Sequence, residues 1–78
     1  MSAKYIIHEA HDLNHRVHFV LSRDPFVGGL DVQFELINEE VLLKGFVRTY
    51  YQKQMAQESL RKIDGIRRIV NNLDVVRS

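Results

Sequence analysis

The sequence predicts an α+β domain in the order helix, strand, strand, helix, strand, with both helices packed on one face of a three-stranded mixed sheet. Apolar residues recur at helical spacing before Asp24-Pro25 and again after Thr49, whereas residues 30–36 alternate strictly between apolar and polar. A capping-box spacing at Thr49 and Gln52 and a glycine at Gly65 bracket the second helix. With 78 residues, such a chain forms one domain and buries only about 60% of the surface its unfolded form exposes, so one core takes most of its apolar residues.

Residues 1–11 read as a polar arm, and the compact unit, residues 12–76, opens with Asp12 as candidate N-cap of a helix whose inner stripe is Leu13, Val17, Val20 and Leu21. Ile6 and Ala10 extend that stripe if the arm is helical. Asp24-Pro25 ends the helix, because the residue before proline disfavours the α region. Gly28-Gly29 marks a turn. Leu30, Val32, Phe34 and Leu36 then alternate with Asp31, Gln33 and Glu35 as a strand with one wet face. A second strand over residues 41–48 follows the short Asn38-Glu39-Glu40 segment and makes an antiparallel hairpin. Its Val41, Leu43 and Val47 share one face, and Leu42 and Phe46 fall on the other.

In the second helix Ala56, Leu60 and Ile63 line the inner face, with small Ala56 allowing close approach to the sheet. A left-handed turn at Gly65 releases a third strand from residue 66 to about 76. A strand–helix–strand unit crosses over right-handed, so the second and third strands run parallel. Asn71 shares a face with Ile69 and Leu73, and burial there requires its amide to be satisfied, most simply by backbone of a neighbouring segment.

The blocks Asp24-Pro25, Val41-x-Leu43-x-Gly45-x-Val47 and Gly65-Ile66-x-x-Ile69-x-Asn71-x-Leu73 together resemble the BON domain of bacterial envelope and osmotic-stress proteins, over roughly residues 12–76. One position departs from the pattern: Glu39 stands where the family usually has a turn glycine. A primed two-residue turn needs positive φ at both centres, at a cost of about 1 kcal/mol for a glutamate, so a longer hairpin loop is expected. The shared residues are structural. What the resemblance implies is a non-enzymatic binding module that attaches to phospholipid or membrane surfaces, in envelope maintenance or stress response. The alternative is a protein interaction or self-association module.

Eleven Lys and Arg against ten Asp and Glu give a formal charge of +1, far from the basic excess that phosphate-backbone binding demands, so nucleic acid is not an expected partner. The chain also lacks the G-x-x-G loop of a KH-like domain, any Gly-rich phosphate loop and any nucleophile elbow around Ser22 or Ser59. No catalytic residue and no cofactor are expected. The absence of cysteine removes thiolate metal sites and thiol nucleophiles. The N-terminus has no secretory-type apolar run, which points by default to the cytoplasm, whereas the resemblance points to the bacterial envelope or periplasm.

Three clusters are candidate surfaces. His8, His11, His15 and His18 form one stripe on a continuous helix, opposite Leu13 and Val17. The expectation is a solvated face, with His11 and His15 the pair that weak metal binding would use. Arg61, Lys62, Arg67 and Arg68 bracket the end of the second helix and the start of the third strand. There they either complement a helix C-terminus or receive anionic head groups. Tyr51 and Met55 lie one turn apart off the core face, and Phe26-Val27 precede the glycine pair; these are candidates for contact with lipid or a protein partner. The competing role for Tyr50, Tyr51 and Phe46 is to cover the edges of a small core.

Overall fold

A computed structural model describes residues 2–76, with side chains over 12–76. The element order is α1 (Ser2–Arg23), β1 (Val32–Ile37), β2 (Glu40–Val47), α2 (Tyr50–Arg61) and β3 (Arg68–Val75). The sheet has the order β1-β2-β3, with β1 antiparallel and β3 parallel to β2. The parallel pair is the one joined through α2, as the crossover rule requires. Asp12 is not an N-cap, because α1 starts at Ser2 and Asp12 lies within it, paired with Arg16 one turn on. The apolar repeat fixes which face of a helix is buried. It does not fix where the helix starts.

Val17 and Leu21 of α1, Ala56 and Leu60 of α2, and Val41, Leu43, Val47 and Leu73 of the sheet are buried in one cluster, and Leu13 is buried beside Gly65. The predicted core residues Val20, Val32, Phe34, Ile63 and Ile69 pack around this group half-buried. Val27 joins the core at 1% exposure, which corrects its reading as an interfacial residue. The reason is local. Asp24 Oδ1 accepts the amides of Phe26 (2.7 Å) and Val27 (3.2 Å), and its carbonyl accepts the Gly28 amide (2.8 Å). The chain leaving α1 therefore curls into a turn that drives Val27 inward. Asp24 Oδ2 accepts from the Ser59 hydroxyl, so this buried carboxylate also ties the end of α1 to α2.

The hairpin turn corrects the sequence expectation. Ile37 pairs directly with Glu40, which leaves a two-residue loop in which Asn38 (φ 51°) and Glu39 (φ 67°) both adopt the left-handed conformation. This is the primed turn whose twist matches the flanking strands. The alternation on β1 and β2 fixes the register, and strand pairing outweighs the local cost at Glu39. The Glu39 carbonyl also accepts the Arg67 amide at 2.7 Å, bracing the turn against the start of β3.

Gly45 has φ 122°, and a Cβ there would lie 2.0 Å from the Asp31 carbonyl oxygen, which accepts the Phe46 amide (3.1 Å). The glycine of the Val-x-Leu-x-Gly-x-Val block is thus demanded by the approach of the β1 entry to β2. Beyond α2, Gly65 (φ 100°) makes the left-handed turn and lies beside Leu13. Since Leu13 meets Gly65 and Asp24 meets Ser59, α1 and α2 run antiparallel. The Thr49–Gln52 capping box forms in both directions.

Candidate functional site

The end of α2 and the start of β3 enclose a shallow depression of about 270 Å³, lined by Gln57, Arg61, Ile66, Arg67, Arg68 and Ile69. The turn after α2 is what assembles it. Gly65 reverses the chain so that Arg67 and Arg68 return alongside the last turn of α2. Asn71 holds the two walls together: its Nδ2 donates to the Lys53 carbonyl (2.9 Å) and to Gln57 Oε1 (3.1 Å), while its Oδ1 accepts the Leu73 amide (3.3 Å). The expected structural role for Asn71 is met, with backbone of α2 as the partner.

Two of the arginines carry acidic partners. Arg61 pairs with Glu58 (3.0 Å) and Arg67 with Glu40 (3.2 Å), both guanidinium groups remaining about two-thirds exposed. Arg68 has no salt bridge among the described residues and projects from the sheet face opposite the helices, beside Glu40 in the strand register. Lys62 caps α2, is exposed and lies outside the depression's lining. The four cations share the neighbourhood with three carboxylates, Glu40, Glu58 and Asp64, so the local excess is about one positive charge. Such a site can attract a phosphate-bearing surface electrostatically and donate bidentate hydrogen bonds from arginine.

Tyr51 and Met55 do not join this site. At about 100° per residue, Arg61 and Gln57 lie about 80° and 120° round α2 from Tyr51, on the flank toward β3. Tyr51 instead meets Phe26 edge-to-face, with ring centroids 5.1 Å apart, on the α1 flank. Met55 is half-buried. Phe46 does not cover the core either, because it stands on the opposite sheet face at 53% exposure. Tyr50 is exposed. His15 and His18 are exposed on α1, whereas the side chains of His8 and His11 lie outside the described residues, and with them the His11–His15 pair. Among the described residues no three or more His, Cys, Asp or Glu side chains cluster to hold a metal.

Gln57, Ile66 and Ile69 were not singled out from sequence. Gln57 was discoverable, since it precedes Arg61 by one helical turn; Ile69 read as core and Ile66 as the start of the third strand, and both line the depression.

Compared with curated protein sequences, the chain matches none. Among solved structures it is similar to the C-terminal domain of CdsD, the structural protein of the type III secretion system of Chlamydia trachomatis, with a TM-score of 0.69. That likeness covers 85% of this chain and 33% of the other at 18% identity, so it bears on the fold alone. The family model of the BON domain matches residues 10–77, nearly the whole length and including every block that carried the resemblance. The chain is a member of the BON domain family.

Proposed function

We propose that this chain is a non-catalytic module that attaches weakly and reversibly to anionic phospholipid surfaces through Arg61, Arg67 and Arg68, with Lys62 at the rim. BON membership points to a module rather than a catalyst. The observation that carries the lipid reading is that Arg61 of α2, Arg67 of the turn after it and Arg68 at the start of β3 all line one depression, Arg68 reaching it from the outer sheet face. Each basic residue near an anionic bilayer is worth about 1 kcal/mol, and the neighbouring carboxylates offset part of that, so the attachment is salt-sensitive. Tyr51 and Met55 belong to a different flank and are not part of this surface. Residues 12–76 are the unit that carries the activity, with residues 1–11 an arm beyond it.

The protein-interaction reading keeps one observation of its own. β1 and β3 are both edge strands, and the sheet face opposite the helices exposes Phe46 and Ile37. Cosedimentation with anionic vesicles over a salt series separates the two readings. Wild type is expected to bind at low salt and release as salt rises, and the double variant Arg67→Glu/Arg68→Glu to remain unbound with its fold intact. A wild-type chain that ignores anionic vesicles at low salt and sediments as a dimer would place the interaction reading first.

A further inference from the structure

The two sheet edges are not equivalent, and the difference points to a second binding surface that uses none of the basic residues above. In the antiparallel β1–β2 pair, Ile37 and Glu40 flank the two-residue turn and Asp31 accepts from Phe46. Hydrogen-bonded and non-hydrogen-bonded pairs alternate, so Gln33, Glu35 and Ile37 direct their backbone groups at β2. Phe34 and Leu36 therefore direct their N–H and C=O groups outward along an open edge. On β3 the Val76 amide donates to Val47, so the same alternation turns the Leu73 amide outward. That amide is already taken by Asn71 Oδ1. The β3 edge is thus blocked in mid-strand by its own side chain, whereas on β1 only the Val32 amide at the strand entry is taken, by the Leu30 carbonyl (2.9 Å), which leaves Phe34 and Leu36 open.

A groove of about 190 Å³ runs beside the β1 edge, between it and α1. His18 and Ser22 of α1 form one wall, Val32 and Phe34 of β1 the other, and Val27 and Leu30 close the end. A dry cavity of about 150 Å³ takes a benzene-sized guest, so this one has room for a large apolar side chain. The side chains of an added strand would alternate between this groove and the opposite sheet face.

Charge selects the occupant. Residues 31–40 carry Asp31, Glu35, Glu39 and Glu40 and no Lys or Arg. Lys44 pairs with Glu35 and Arg67 with Glu40. Asp31 and Glu39, one at each end of β1, have no salt bridge among the described residues. Two copies joined through β1 would set these acids against each other. We propose that the β1 edge receives an extended segment of a partner protein as a fourth strand, with an apolar side chain in the groove and basic residues flanking it. This inference does not rest on the lipid reading.

The test uses the whole chain, isotopically labelled, and the peptide Lys-Lys-Val-Thr-Val-Thr-Val-Lys-Lys. The expected result is NMR shift changes at Gly28, Leu30 and residues 32–37, with slowed amide exchange at Phe34 and Leu36. Replacing the four lysines by glutamate should weaken binding by about tenfold or more at low salt. N-methylating alternate peptide bonds of the lysine peptide should abolish it. Ser22→Trp, which fills the groove from an exposed helix position, should do the same while amides elsewhere keep their shifts. Equal binding of lysine and glutamate peptides, shifts centred on β3 or the basic depression, or no binding at about millimolar peptide would overturn the proposal. So would a dimer closed through β1 in the absence of peptide.

Discussion

Removing the two carboxylates that neutralise the arginines should strengthen attachment to anionic membranes. Glu40→Gln and Glu58→Gln together leave every guanidinium in place and free Arg67 and Arg61 from partners at 3.2 and 3.0 Å. The neighbourhood then carries four cations against Asp64 alone, so its excess rises from about one charge to about three. At about 1 kcal/mol per charge close to an anionic bilayer, and less at its rim, the gain is about 1–2 kcal/mol, or roughly 5–30-fold in partitioning. Both pairs are largely exposed, so losing them costs folding stability at most about 1 kcal/mol each. Vesicle cosedimentation at low and high salt reads the effect, which should collapse as the Debye length shrinks from about 8 Å to about 3 Å. Unchanged or weaker binding of the double variant at low salt would refute the electrostatic argument, because no other property of the site changes as much.

Three further outcomes concern the fold. Leu60 is fully buried between α1 and the sheet, so Leu60→Ala should cost about 2–5 kcal/mol in urea denaturation; an unchanged midpoint would mean that α2 does not dock as described. Gly45→Ala combines a left-handed φ with a Cβ driven onto the Asp31 carbonyl and should cost about 2–6 kcal/mol, visible as a large drop in thermal midpoint. Glu39→Gly relieves the positive φ while keeping the carbonyl that accepts from Arg67. It should stabilise the domain by up to about 1 kcal/mol, and a loss of stability would show that the glutamate side chain matters more than its strain.

Some local patterns sufficed, whereas the Asp12 cap, equally local, did not hold. The strand alternation at Val32, Phe34 and Leu36, the Thr49–Gln52 box and the turn at Gly65 are all local patterns, and each appears where its pattern put it. The hairpin turn went the other way. Propensity at Glu39 argued for a longer loop, but the register is decided by the burial of a whole strand face, a non-local quantity larger than one residue's strain. Val27 was misread because its burial depends on the Asp24 carboxylate folding the turn back, and on Ser59 holding that carboxylate from 35 residues away.

The site was legible only in part. Arg61, Arg67 and Arg68 are adjacent enough in sequence, either side of one turn, for their convergence to be foreseen. Tyr51 could not be excluded from them without knowing which flank of α2 faces β3. The pairing of Arg67 with Glu40 joins residues brought together only by the parallel β2–β3 register, and no spacing rule reveals it. The edge asymmetry is likewise a product of ladder phase and of the Asn71 side chain, neither of which has a sequence signature.

The most direct measurement of the central claim is NMR of the chain on anionic nanodiscs whose lipid head groups carry a paramagnetic label. Attachment through the basic depression predicts strongest line broadening at the end of α2 and at residues 66–69, fading with salt, with residues 32–37 of β1 and the Phe26–Tyr51 contact left sharp. Broadening centred on β1 or on Phe26 and Tyr51, or none at low salt, would contradict it.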